Sequence, residues 1–106
     1  MTQPQSRPQG RLAFPVVPFP TVGVVGAGQL ARMLVPAAVA LGVRLRVLAT
    51  QPDDAAAQVI PDVVVGDYTH LDTLRAFADG VDVLTFDHEH VPTAHLHALT
   101  EQGIAV

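Results

Sequence analysis

Residues 21–33 read Thr21-Val22-Gly23-Val24-Val25-Gly26-Ala27-Gly28-Gln29-Leu30-Ala31-Arg32-Met33, and the rest of the chain is organised around them. A β-branched, apolar run enters a pair of glycines, and a pattern of helical spacing leaves them. This order predicts a strand, a tight turn and the start of a helix, the first half of a βαβ unit. Glycine suits such a turn because it accepts positive φ and lets a ligand approach the backbone.

The glycine spacing, Gly26-x-Gly28-x-x-Ala31, has more than one interpretation. Unpaired N–H groups at Gln29 and Leu30 and the positive end of the helix dipole favour an anion such as a phosphate. Many α/β proteins use the same turn for packing alone. A nicotinamide cofactor is disfavoured, because the second predicted strand ends in residues 49–51, Ala-Thr-Gln, without the carboxylate that would hold a ribose.

In the remaining chain, predicted helices alternate with predicted strands. Helices are predicted at 30–41 with a kink at Pro36, at 52–58, at 69–79 with a Thr69/Asp72 capping box, and at 92–102. Further strands are predicted at 43–49, 62–66, 81–86 (buried on both faces) and 104–106. Short links between them predict a Rossmann-like, doubly wound parallel sheet with strand order of about 3-2-1-4-5.

Composition limits what such a domain does. The chain has 106 residues, of which 49% are hydrophobic and 15% charged, enough for one compact domain. A net charge of −4 with only 6 basic residues argues against nucleic-acid or membrane binding. Without cysteine there is no disulfide, thiolate metal site or cysteine nucleophile.

The first twenty residues form a separate segment. Five prolines lie within 1–20, and Pro15 and Pro18 interrupt the apolar run that a signal peptide would need. No apolar run is long enough to span a bilayer. We therefore expect a disordered, proline-rich leader at 1–20 and a cytoplasmic, ligand-binding domain at 21–106.

The predicted strand order places two loops at one crevice. In a doubly wound sheet, ligands bind where the winding reverses, here between the loops at 26–29 and 87–90. The second loop, Asp-His-Glu-His, has four interpretations: a solvated loop, a general base, a metal site assisted by His95 and His97, or a hydrogen-bonding wall for a polar ligand. The last is preferred, with Glu89 as the acceptor. The metal site is disfavoured because histidines two apart on a helix point in different directions.

Three segments together resemble the N-terminal domain of 5-(carboxyamino)imidazole ribonucleotide synthase, an ATP-grasp enzyme of purine biosynthesis. They are Gly26-Ala27-Gly28-Gln29-Leu30-Ala31-Arg32-Met33, Asp67-Tyr68, and Leu84-Thr85-Phe86-Asp87-His88-Glu89-His90-Val91-Pro92. The similarity covers about 21–106. The sequence departs from the family pattern where Ala27 and Ala31 replace a common glycine, where Asp87-His88 replaces a common Glu-Phe, and where His90 replaces a frequent asparagine.

The resemblance implies an ATP-dependent ligase that activates bicarbonate as carboxyphosphate and carboxylates the exocyclic amine of aminoimidazole ribonucleotide. It implies that Gly28, Gln29, Leu30 and Glu89 bind the ribonucleotide, with no catalytic or metal-binding residue in this chain. ATP and Mg²⁺ would be held by ATP-grasp lobes that this sequence lacks. On this interpretation the chain is a fragment, inactive alone, of an enzyme expected to be a homodimer.

Two other hypotheses remain open at this point. The chain could be a free-standing, Rossmann-type module that binds a nucleotide or NAD and regulates a partner. It could also be a remnant that keeps the fold without a ligand.

Overall fold

The computed structural model describes residues 19–106. Most of the predicted leader, residues 1–18, lies outside the described residues. The elements in chain order are β1 (Thr21–Val25), α1 (Gln29–Met33), α2 (Val35–Leu41), β2 (Arg44–Ala49), β3 (Val63–Val65), α3 (Leu71–Ala78), β4 (Val83–Phe86) and α4 (Thr93–Glu101). None of these helices is long and apolar enough to cross a membrane.

The four strands form one parallel sheet in the order β3-β2-β1-β4. At the centre, Val24 of β1 is in register with Val47 of β2 on one side and Thr85 of β4 on the other. The winding therefore reverses between β1 and β4, which confirms the predicted α/β class and the 3-2-1-4 part of the predicted order.

The predicted fifth strand at 104–106 is not formed. Ala105 accepts one backbone hydrogen bond, from the N–H of Leu84 at 2.8 Å. A parallel ladder needs a return bond from the added strand, and the described residues contain none from this segment to β4.

Side chains alternate between two hydrophobic clusters, one on each face of the sheet, as the two-residue period of a strand requires. On one face, Val25, Leu48 and Leu84 pack with the buried side chains of α3 and α4, chiefly Leu74, Phe77 and Leu99. On the other face, Val24, Val47 and Ala49 pack with Ala27, Ala31, Ala56 and Ile60. Both ends of the glycine turn are thereby anchored in the core.

The prediction that β4 is buried on both faces is wrong. Leu84 is buried, but Val83 and Thr85 are exposed. The reason is position, since β4 has β1 as its only partner strand among the described residues, and no β4 side chain belongs to the second cluster.

Pro36 divides the predicted first helix into two. The break falls at Leu34, whose N–H donates to the Ala31 carbonyl at 3.1 Å. Pro36 thus lies in the first turn of α2, where its missing N–H would have had no helical partner. The second helix ends at Gly42 with φ of 69°, a left-handed conformation that favours glycine.

Residues 50–60 form a series of turns, so the helix predicted at 52–58 is wrong. The N–H of Ala56 would have to donate to residue 52 in a helix. It donates instead to the carbonyl of Ala27 in the glycine turn, at 2.8 Å. A tertiary hydrogen bond has replaced a helical one, and it ties this connector to the crevice.

The capping box predicted for α3 is also absent. Thr69 donates backward to Asp67, from its N–H at 2.9 Å and its hydroxyl at 2.6 Å, both to Oδ1. This Asx-type turn competes with helix initiation, and α3 begins two residues later at Leu71. The two hydrogen bonds from Thr69, with a smaller electrostatic contribution from the nearby His70, hold the pKa of Asp67 below its ordinary value of 3.8.

We expect Thr69→Ala to raise the pKa of Asp67, because it removes the hydroxyl donor, the largest cause of the lowering. Thr69→Ser keeps that donor and should keep the pKa low. A carboxylate with a depressed pKa stabilises the fold above its unfolded pKa and stops doing so as pH falls through the folded one. The ¹³C titration of the Asp67 carboxyl measures the effect, and equal values in the two variants would contradict it.

Candidate functional site

A crevice of about 540 Å³ opens at the carboxyl ends of β1, β2 and β4, where the strand order reverses. It lies where the topology predicted a ligand site. Its walls are the glycine turn, the first part of the connector at 50–60, and the strand ends after β3 and β4. The lining residues are Gly26, Ala27, Gly28, Gln29, Leu30, Leu48, Thr50, Asp54, Ala55, Tyr68, Asp87 and His88.

The glycine turn is held by Asp87, the first residue after β4. Its Oδ2 accepts the N–H of Gly28 at 3.0 Å, and its own N–H donates to the carbonyl of Val25 at 3.2 Å. Gly26 has φ of 116°, and a Cβ built on it would overlap the Asp87 carboxylate. Glycine is therefore required at 26 twice, by the backbone conformation and by the carboxylate folded over it.

The Asp87 carboxylate is largely shielded from solvent, with 9% of its side chain exposed. It lies beside the first residues of α1, where the helix dipole favours negative charge. One of the N–H groups that an incoming anion would use is therefore already bonded within the chain. The phosphate hypothesis was based on the glycine turn and the helix start alone, and it did not take the Asp87 carboxylate into account.

Two aromatic rings line the crevice, one from the segment after β3 and one from the segment after β4. The rings of Tyr68 and His88 lie 4.7 Å apart between centroids and are inclined by 59°. The Nδ1 atom of His88 accepts the N–H of His90 at 3.1 Å. Because Nδ1 is an acceptor, a neutral ring carries its proton on Nε2, which lies 3.9 Å from Oδ1 of Asp87.

The connector at 50–60 forms the opposite wall. Oδ2 of Asp54 accepts two hydrogen bonds from Thr50, one from its N–H at 3.0 Å and one from its hydroxyl at 3.2 Å. It also accepts the N–H of Gln51 at 3.2 Å. From α1, Nη1 of Arg32 donates to the carbonyl of Ala55 at 3.2 Å. These contacts fold the connector against α1, so that a second carboxylate lines the crevice.

Of the predicted binding residues, Gly28, Gln29 and Leu30 line the crevice, and Glu89 does not. Glu89 is exposed on the loop beyond His88, and its role stays a prediction. Thr50 and Asp54 were missed as site residues, and Asp87 was placed at the crevice as part of the loop at 87–90 but not as the residue that holds the glycine turn. For that role of Asp87 a signal existed, because Asp87 is the first residue after the strand that borders the predicted switch point.

The metal hypothesis gains no support from the geometry. Within residues 19–106, no three histidine, aspartate or glutamate side chains are grouped closely enough to hold a metal ion. The Nδ1 atom of His95 is buried without a hydrogen-bond partner.

Comparison with known proteins begins with a family model. The model of the ribonucleotide synthetase preATP-grasp domain matches residues 19–106. A Mycobacterium leprae protein named N5-carboxyaminoimidazole ribonucleotide synthase is 61% identical over 87 residues, which cover 82% of this chain and 20% of that protein. A Corynebacterium ammoniagenes protein of the same name is 48% identical over 103 residues, covering 97% of this chain and 25% of that protein.

Solved structures give the same result. The N5-carboxyaminoimidazole ribonucleotide synthetase of Thermotoga maritima matches with a TM-score of 0.75 and 29% identity, over 82% of this chain and 24% of that one. The Aspergillus clavatus N5-carboxyaminoimidazole synthase in complex with ADP and 5-aminoimidazole ribonucleotide matches with a TM-score of 0.71 and 32% identity, over 83% and 23%. The chain thus spans about a fifth to a quarter of the length of the proteins it matches.

We expect Gly26→Ala to destabilise the fold by about 2–5 kcal/mol, the sum of left-handed strain and of overlap with Asp87. Gly80→Ala is the matched control, because Gly80 has φ of 81° but no atom within 4 Å of an added Cβ. It should cost only the strain, about 1–2 kcal/mol. Urea unfolding measures both.

The excess cost of Gly26→Ala should disappear when Asp87 is replaced by alanine, since the overlapping carboxylate is then gone. A Gly26→Ala cost that is the same with and without the Asp87 side chain would contradict the arrangement.

Proposed function

This chain belongs to the ribonucleotide synthetase preATP-grasp domain family, and we propose that it is the N-terminal domain of a 5-(carboxyamino)imidazole ribonucleotide synthase. Its similarity to enzymes of that name over most of its length supports the proposal. The reaction is the ATP- and bicarbonate-dependent carboxylation of aminoimidazole ribonucleotide in purine biosynthesis. The enzyme is then an ATP-dependent ligase that forms a carbon–nitrogen bond.

In this reaction bicarbonate attacks the γ-phosphorus of ATP, which yields carboxyphosphate and ADP. The exocyclic amine of the ribonucleotide then attacks the carboxyl carbon, phosphate leaves, and the nitrogen loses a proton. We propose that ATP and Mg²⁺ are bound by the ATP-grasp lobes of the whole enzyme, which we expect to be a homodimer in the cytoplasm. The present domain would contribute by holding the ribonucleotide.

The single observation that carries this role is the crevice at the β1/β4 switch point. It is lined by Gly28, Gln29 and Leu30, the residues that the family resemblance assigns to the substrate. The glycine turn is anchored by Asp87 and by the connector, through the hydrogen bond from Ala56 to Ala27. A preorganised wall of this kind lowers the entropic cost of orienting a ligand.

A chimera tests the proposal directly. Residues 19–106 would replace the matching segment of the Mycobacterium leprae relative, which is 61% identical there. We expect carboxylation of aminoimidazole ribonucleotide to depend on ATP and bicarbonate, with kcat/KM within about tenfold of the parent enzyme. A folded chimera that hydrolyses ATP and leaves the ribonucleotide unchanged would contradict the proposal.

Glu89→Gln in that chimera tests the role that the resemblance implies for Glu89. Loss of a charged acceptor should lower kcat/KM for the ribonucleotide by roughly 10–100-fold, while KM for ATP changes little. The control is Glu101→Gln, which changes the only other glutamate, exposed at the end of α4. Unchanged kinetics for the ribonucleotide in Glu89→Gln would remove this residue from the site.

A further inference from the structure

A second groove lies at the opposite end of the sheet from the crevice. It has a volume of about 460 Å³ and is lined by α2, the start of β2 and the residues just before β3. Apart from Arg44 and Asp62, all of its lining residues are apolar. Within residues 19–106, it shares no lining residue with the crevice.

This α2 groove joins buried and exposed apolar side chains. Ala38 and Ile60 are buried, whereas Val39 on α2 and Val59 in the connector are exposed over 76% and 43% of their surface. Single exposed apolar residues are normal on a protein surface, but apolar residues that line a groove together indicate a place where another segment packs.

The chain enters the described fold beside this groove. The carbonyl of Pro20 accepts the N–H of Arg44, one of the lining residues, at 2.8 Å. The Phe19 ring lies 3.6 Å from the position of a Cβ built on Gly42, between α2 and β2. The residues that precede Phe19 therefore begin next to the groove.

The leader supplies an apolar segment at this point. Residues 11–18 read Arg-Leu-Ala-Phe-Pro-Val-Val-Pro, whereas residues 1–10 are mostly polar. Eight extended residues reach up to about 26 Å, and α2, which forms one side of the groove, has seven residues and a length of only about 10 Å. The prolines fix φ, so the segment loses less conformational entropy on packing than an ordinary peptide does.

The other end of the chain lies away from the groove. Ala105 accepts a hydrogen bond from Leu84 of β4, and β4 is at the opposite edge of the sheet from β3. Of the two ends of the described fold, the one at Phe19 is therefore the one that adjoins the groove.

We propose that residues 11–18 dock in the α2 groove, so that the chain covers this apolar surface with the segment that precedes β1. On this proposal the leader is not disordered throughout, as its composition suggested. The docked segment is remote from the crevice, and the inference is independent of the proposed function.

A spin label in the leader tests the docking. The chain has no cysteine, so Gly10→Cys in the ¹⁵N-labelled 106-residue chain accepts a single nitroxide just before the apolar segment. Docking carries this label across the groove, and it should broaden the amide signals of residues 59–60 more strongly than those of 81–82.

Residues 81–82 are the internal reference because they flank β1 on its other side. The N–H of Asp82 donates to the carbonyl of Thr21 at 2.9 Å, as the N–H of Arg44 donates to Pro20. A leader that does not dock would move freely about its attachment at Phe19 and broaden both regions alike. Equal broadening would overturn the inference.

Val39→Lys and Leu41→Lys form a matched pair. Both side chains are on α2 and are exposed to the same extent, 76% and 77%, but of the two only Val39 lines the groove. Val39→Lys places a charge where an apolar segment would pack, so the broadening at 59–60 should fall at least about threefold. Leu41→Lys should leave it unchanged, and equal effects of the two variants would contradict the docking.

Phe14→Ser tests the same contact from the leader. The substitution lies outside the described fold, so it leaves the groove intact while it removes the largest apolar side chain of the segment. The broadening at 59–60 should again fall at least about threefold. An undiminished effect of the label in this variant would count against residues 11–18 as the occupant.

A second copy of the chain is the alternative occupant. Spin-labelled chain without ¹⁵N, mixed with ¹⁵N-labelled chain without the spin label, shows contacts between molecules only. We expect no selective broadening at 59–60 in this mixture. Broadening as strong as in the doubly labelled chain would show that another molecule fills the groove, and the inference would fail.

Discussion

The hydrogen bond between the Asp87 carboxylate and the Gly28 N–H joins the carboxyl ends of β1 and β4, the neighbouring strands between which the winding reverses. Asp87 follows β4, and Gly28 follows β1, so one side chain sets the spacing of the two loops that meet at the switch point. The Asp87 N–H extends the β1–β4 pairing by one residue, to the carbonyl of Val25. Both the geometry of the glycine turn and the charge of the crevice depend on this contact.

Most of the fold could be predicted from the sequence because its determinants are local. A two-residue alternation in β1 and β2 divides their side chains between the two cores, and Gly42 ends a helix by its left-handed conformation. Two of the failures came from hydrogen bonds that compete with the helical pattern. Ala56 donates to Ala27 instead of forming a helical turn, and Thr69 donates to Asp67 instead of capping α3. A local sequence pattern does not show which of two competing acceptors a donor group will use.

For the candidate site, too, one part could be predicted from the sequence and another could not. Its location could be predicted, because strand order alone puts the loops after β1 and β4 at one crevice. Asp54 was not identified as a lining residue, and within the predicted loop at 87–90 the preferred residue was Glu89 and not Asp87. The roles of Asp54 and Asp87 depend on distances between segments that are far apart along the chain. Asp87 is 59 residues from Gly28, and no periodicity or motif spacing reports such a separation.

A glycine-rich turn before a helix is therefore weak evidence for phosphate until the neighbouring acceptors are known. The turn supplies N–H groups and a favourable dipole, and any anion can use them, including one from the chain itself. In this domain a carboxylate has done so, at a position where it also excludes a side chain from Gly26. The glycines are then explained by the fit between two loops.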